Sequence, residues 1–335
     1  MQKRFRLVIL VFMPLALALA AQERNNVQHV IDLKGIGYPE PPCDYMFQED
    51  AYSKNHIEFL NSERLLVSFP ADITGCDKKQ GYFAKNAPKF RSVIMDLSGK
   101  VLHSFDWYLG EDIQAGPDGH ILFLTGKEIR ILDSDFSLVQ SIPDPRPPLQ
   151  IVGRSLIVDP ARHGFVVRDG YPTYRVAYFS GNPAKQTQEA DDCNSVTAVD
   201  GGFVCWDSSQ PSHLTVHVSA RKPELDQRDI SSTLQVGLDD NPDKRWVVPG
   251  WPAWISRKGQ SISPSGRRMY FSNGCRFPIT DTSGFGYFLR VIVVDTKERR
   301  TIFRKQYDIN SDVGLSPDGN WFSVREQTRL TLRKL

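Results

Sequence analysis

Six polar positions recur at matching places in a repeated pattern. His56, Glu111 or Asp112, Arg154, Cys193 or Asn194, Lys258 and Asp312 each stand a few residues before a tight turn. Gathered around one axis, carboxylates, an amide and an imidazole could hold a divalent cation or activate a water molecule. No ligand spacing among them singles out a metal, so a solvated mouth laced with internal ion pairs is the simpler expectation, and no cofactor is implied. Other catalytic patterns are missing from the sequence: there is no Gly-x-Ser-x-Gly, no His-Glu-x-x-His, no phosphate loop and no dinucleotide glycine pattern. His213 and His217 fall four apart, but on a strand that spacing separates them by about 14 Å, too far to share one metal ion.

A second set of residues suits binding. Trp107, Tyr108, Tyr171, Trp206, Trp251, Trp254 and Phe285 fall in or beside the longest segments between turns, with Tyr82, Phe83, Trp246, Phe277 and Tyr287 near them. Flat apolar rings with polar tips suit contact with a protein, a peptide or a glycan. Packing of the segments against one another is the bland alternative for any single ring. Trp251-Pro252-Ala253-Trp254 is the best candidate, because its prolines favour an extended, rigid display.

The elements that must position these residues follow one local grammar. A turn built on Pro or Ser, Asp and Gly precedes a β-rich run at Asn61-Ser62-Glu63, Gly116-Pro117-Asp118-Gly119, Asp159 to Gly164, Val199-Asp200-Gly201-Gly202, Ser263-Pro264-Ser265-Gly266 and Ser316-Pro317-Asp318-Gly319. Proline presets φ, Asp or Ser bonds the local backbone, and Gly takes the left-handed conformation, so these motifs hold hairpins. Repetition every 40 to 65 residues or so, with several strands each time, is the signature of a β-propeller. The reading is an all-β, six-bladed propeller of four-stranded antiparallel blades. The last repeat offers only three strands, and Val27 to Leu33 is a lone strand. Pairing it with Arg329 to Leu335 would complete that blade and close the ring.

Loop length divides the ring. First-to-second and third-to-fourth connections are tight turns. The long segments Pro70 to Arg91, Pro143 to Gly153, Gly237 to Lys258 and Asn273 to Phe288 all fall to the opposite face. Long loops on a rigid scaffold are where function usually sits.

Lys3, Arg4 and Arg6, an apolar run from Leu7 to Leu19 and the small-x-small site Ala18-Leu19-Ala20 read as a signal peptide over residues 1–20, followed by a single propeller domain over 21–335. The expected location is periplasmic or extracellular, with no membrane span after leader cleavage. The chain has 41 Lys and Arg against 39 Asp and Glu. Three of those cations lie in the leader, so the mature balance is close to neutral and gives no reason to expect nucleic acid. Five cysteines in an exported chain point to disulfides. Cys43 with Cys76 and Cys193 with Cys205 are the expected pairs, leaving Cys275; pairing of Cys205 with Cys275 across a blade boundary is the alternative.

Through Leu315-Ser316-Pro317-Asp318-Gly319 and Ile262-Ser263-Pro264-Ser265-Gly266-Arg267-Arg268-Met269-Tyr270, the chain resembles secreted bacterial propellers of the TolB-like and YVTN-like (WD40-like) repeat type. It lacks the paired Gly-His and Trp-Asp of true WD repeats. The resemblance implies architecture and no single function, since such propellers host binding modules and several kinds of enzyme. The resulting expectation is a recognition or scaffold module acting through its loop-rich aromatic face. A metal-dependent hydrolase or lyase at the channel mouth is the alternative.

Overall fold

The computed structural model describes residues 27–38, 56–71, 89–108, 110–143, 154–159, 162–170, 173–193, 195–199, 201–206, 215–217, 234–237, 245–248, 256–262, 268–278, 285–295, 298, 300–308 and 311–335. The 1–20 segment expected to be a leader lies outside them, as do Cys43 and Cys76.

Alternating apolar residues between turn signals give strands throughout the described residues. The first sheet is β1 (Val27–Asp32), paired with strands from the far end of the chain. The next comprises β2 (His56–Phe59), β3 (Arg64–Pro70), β4 (Lys89–Asp96) and β5 (Val101–Tyr108). It is followed by β6 (Asp112–Ala115), β7 (Ile121–Leu124), β8 (Glu128–Leu132) and β9 (Leu138–Pro143), then by β10 (Ser155–Val158), β11 (Gly164–Asp169), β12 (Tyr174–Ser180) and β13 (Lys185–Cys193). Each of these three groups is a four-stranded antiparallel meander in chain order. A hairpin of β14 (Ser195–Val199) and β15 (Gly202–Trp206) comes next, then a three-stranded sheet of β16 (Thr215–His217), β17 (Leu234–Gly237) and β18 (Arg245–Val248). The chain finishes with the meander β19 (Ser256–Ile262), β20 (Arg268–Pro278), β21 (Phe285–Asp295) and β22 (Arg300–Asp308), and with β23 (Asp312–Leu315), β24 (Trp321–Glu326) and β25 (Arg329–Lys334).

The lone N-terminal strand pairs as its sequence predicts: β1 runs antiparallel to β25, with Asp32 opposite Arg329 and Ile31 opposite Leu330. It completes a four-stranded sheet in the order β1-β25-β24-β23. Leu33–Ile36 then turns into a short 3-10 helix capped by the Asp32 carboxylate, which accepts from the Lys34 N–H at 3.0 Å. Two expectations need correction. Asn273 to Phe288 is mostly strand, because Asn273 to Pro278 pair without a break with Phe285 to Arg290, leaving only residues 279–284 between β20 and β21. β16 and β17 run parallel, which a plain meander does not contain.

The core lies between sheets. One apolar layer joins Ile31, Leu330 and Leu332 to Ile57, Val67 and Val93. A second joins Leu66, Phe90 and Ile94 to Ile113, Ile121 and Phe123, and a third joins Leu122, Leu124 and Ile131 to Leu156, Phe165 and Phe179. A fully buried Leu or Phe contributes about 1.5–3 kcal/mol, so each layer is a substantial adhesive between neighbouring sheets.

Candidate functional site

The first strands of successive sheets lie side by side: β19 beside β23, β23 beside β2, β2 beside β6, β6 beside β10 and β10 beside β14. Sequential meanders joined by apolar layers, with their first strands together, define a propeller arrangement. This brings His56, Asp112, Arg154 and Asp312 to the same end of neighbouring inner strands. Asn194 lies outside the described residues, and Lys258 is described only in its backbone, within β19.

These groups are engaged in holding sheets. Asp112 is buried, and its carboxylate accepts from the N–H of Leu156 on the next inner strand at 2.8 Å and from its neighbour Ile113 at 3.1 Å. Arg154 is equally buried and donates back to the Thr125 carbonyl at 2.6 Å. Asp312 accepts from its cross-strand partner Arg325, at 2.7 Å from Nε and 2.5 Å from Nη2. Arg325 is only 3% exposed and also lies over the Tyr38 ring, 5.4 Å from its centroid. Burial opposes the charge on that guanidinium, yet Asp312, Tyr38 and Asp308 together hold its pKa above the ordinary value. His56 differs: its Nε2 is buried, makes no hydrogen bond among the described residues and sits 3.9 Å from Glu58 Oε2.

Three axial residues escaped the sequence reading. The Glu58 carboxylate accepts from the Ala115 N–H at 2.6 Å, and Gln114 Nε2 donates to the Leu156 carbonyl at 2.7 Å. Polar residues at alternate positions, His56 with Glu58 and Asp112 with Gln114, were a period-2 signal for this row. At the tight-turn end, Arg162 Nη1 donates to the Phe59 carbonyl at 2.5 Å, spanning from the sheet that starts with β10 to the one that starts with β2. Arg162 has a φ of 59°. No local motif announces such a reach. Among the described residues no group of three or more His, Cys, Asp or Glu side chains could hold a metal ion.

The aromatic set divides. Trp107 is fully buried, so its assignment to a ligand surface is corrected: it stacks on Phe90 at 4.5 Å and donates Nε1–H to Ser92 Oγ at 2.9 Å. Its apolar body belongs to the layer between two sheets, and its one polar atom is satisfied there. Tyr108, the next residue, faces the other way and is 53% exposed. Trp206 ends β15 opposite Ser195, and Phe285 opens β21 opposite Pro278. Tyr171, Trp251 and Trp254 lie outside the described residues.

No protein-family model matches the sequence, and no curated protein matches it. Among solved structures, the chain is similar to one in the mitotic checkpoint complex, at 10% identity and a TM-score of 0.44, over 92% of this chain and 94% of that one. It is also similar to the WD40 domain of Neurospora crassa Pan2, at 11% identity and a TM-score of 0.41, over 91% and 94% of the two chains. Hsv2p of Kluyveromyces lactis gives 14% identity and a TM-score of 0.35, over 81% and 71%.

Proposed function

We propose that this protein is an exported interaction scaffold: a closed, six-bladed propeller of the TolB-like and YVTN-like type that binds a protein, peptide or glycan through its loop-rich aromatic face. The observation that carries this reading is the use made of the polar axial groups. Asp112, Arg154, Glu58 and Gln114 each bond to a neighbouring sheet, so the described part of the axis is a set of fasteners that makes a rigid platform. A rigid ring presenting loops on one face is suited to recognition. The pairing of β1 with β25 favours a closed ring. A Cys193–Cys205 bridge, spanning from the end of β13 to β15, is part of the proposal and suits an oxidising compartment.

The test is a comparison of wild-type protein with the Trp251→Ala, Trp254→Ala double variant in capture from the exported fraction of the source cell, and on a glycan array. The expected result is loss of capture with an unchanged melting transition. A double variant that melts early, or that captures as the wild type does, returns these residues to packing.

A further inference from the structure

A second surface lies at the tight-turn end of the molecule. Between the Pro117 to His120 turn, the start of β9 and the β12–β13 connection runs a groove with an empty volume of about 430 Å³, open mouth included. Its floor is apolar and buried, formed by Leu122, Phe165 and Phe179, and Val139 stands at its rim 56% exposed, beside Leu138 at 60%. The groove's far wall is fixed by Gln140, whose amide donates to the Ala184 carbonyl and accepts from the Ala184 N–H, both at 2.9 Å. The two sheets are therefore clamped beside the groove, and its shape is pre-formed.

One carboxylate and two imidazoles line it, Asp118 with His120 and His163. No Lys, Arg or Glu lines the groove, and Asp118 is its sole carboxylate. Asp118 is exposed, and its side chain makes no hydrogen bond or ion pair among the described residues. The equivalent carboxylate in the last repeat, Asp318, is fully occupied: it accepts from Ser316 Oγ at 2.5 Å and from the Asn320 N–H and Nδ2, each at 3.0 Å. The cause is local. Ser316 and Asn320 supply the donors there, whereas Gly116 and His120 stand at those places in the second repeat, and the His120 N–H goes to the Pro117 carbonyl. A Cβ on Gly116 would come within 2.6 Å of Leu122 Cγ, so the packed floor excludes a serine that would supply one of those donors to Asp118.

We propose that this groove binds an extended segment of a partner protein by an aliphatic side chain followed at once by Arg or Lys. The aliphatic group covers Val139 and the apolar floor, and the cation meets Asp118. Charge argues for a partner against a second copy of this chain: in a two-fold pair the same patch meets itself, bringing two unneutralised Asp118 side chains into one interface. This surface is separate from the loop-rich face and does not rest on the reading of that face.

The probe is N-acetyl-leucyl-arginine amide, titrated into methyl-labelled full-length protein and compared with N-acetyl-leucyl-glutamate amide. The Val139 and Leu122 methyl resonances are expected to shift, with the arginine peptide binding about two- to fivefold more tightly, the range of an exposed ion pair. Asp118→Asn should erase the preference, Val139→Ser should weaken both peptides, and the Trp251→Ala, Trp254→Ala variant should bind both as wild type does. Both groove substitutions are at exposed positions, and an unchanged amide spectrum certifies the fold. Equal affinities, a preference that survives Asp118→Asn, or shifts confined to other methyl groups overturn the proposal. A concentration-dependent dimer abolished by Val139→Ser overturns it in favour of a second copy.

Discussion

Gly116-Pro117-Asp118-Gly119 and Ser316-Pro317-Asp318-Gly319 read almost alike, yet they are different turns. In the first, Asp118 has a φ of 54° and Gly119 a φ of 74°, and the closing bond runs from the His120 N–H to the Pro117 carbonyl at 3.0 Å. In the second, only Gly319 is left-handed, at 72°, and its N–H bonds the Ser316 carbonyl at 2.9 Å. Ser316 Oγ also accepts from the Trp321 N–H at 2.8 Å, so one hydroxyl ties both sides of the turn together. The residues at the turn's first and fifth positions, Ser316 with Asn320 against Gly116 with His120, thus separate a carboxylate that serves the fold from one that stays available. Two other turns follow the occupied pattern. Asp96 accepts from the N–H groups of Ser98 and Lys100, and Asp133 accepts from those of Asp135 and Ser137.

The largest effect should come from forcing one turn to resemble the other. Gly116→Ser pushes a Cβ into Leu122 and is expected to destabilise by about 2 kcal/mol through overpacking, read as an earlier denaturant midpoint. The reciprocal Ser316→Ala removes hydrogen bonds made by a hydroxyl in a residue 1% exposed, and should cost about 1 kcal/mol. If Gly116→Ser proves neutral, the steric reason for the difference between the turns is wrong.

Acid titration sharpens the comparison with a smaller effect. The Ser98 hydroxyl lowers the pKa of Asp96, and the Ser137 and Asp135 N–H groups lower that of Asp133, each below the ordinary value of 3.8. A carboxyl group whose pKa is depressed by folding stabilises the protein above its unfolded pKa, and that stabilisation is lost as pH falls through its folded pKa. Stability should therefore hold down to the ordinary carboxylate range and decline below about pH 4. Carboxyl-carbon NMR should place the midpoints of Asp96 and Asp133 below 3.8. Midpoints at or above that value would separate the local hydrogen bonds from any role in acid stability.

The blade framework was legible because strands and turns are local. The second sheet was readable almost residue by residue, since Asp112–Ala115, Ile121–Leu124 and Glu128–Leu132 are punctuated by Gly-Pro-Asp-Gly and Thr-Gly-Lys. The length of β20 and β21 was less readable, because Asn273, Gly274 and Pro278 look like loop residues and only their cross-strand partners hold them extended. Side-chain direction was the main loss. Trp107 and Tyr108 are neighbours, and the alternation of a strand sends one into the core and the other to solvent. Asp112 opens β6 and Arg154 stands just before β10, but their use depends on backbone groups of neighbouring sheets. That is tertiary information, which spacing along one strand does not carry.

Glu58 and Asp112 fasten one sheet to the next at the inner strands. Native-state hydrogen exchange at the Leu156 amide, compared between wild type and Asp112→Ala, tests it most directly. Loss of the 2.8 Å bond leaves that N–H without its acceptor, so its protection should fall sharply and overall stability by about 2 kcal/mol. Unchanged protection at Leu156, with unchanged stability, would contradict the claim and return Asp112 to the set of groups available for chemistry at the channel mouth.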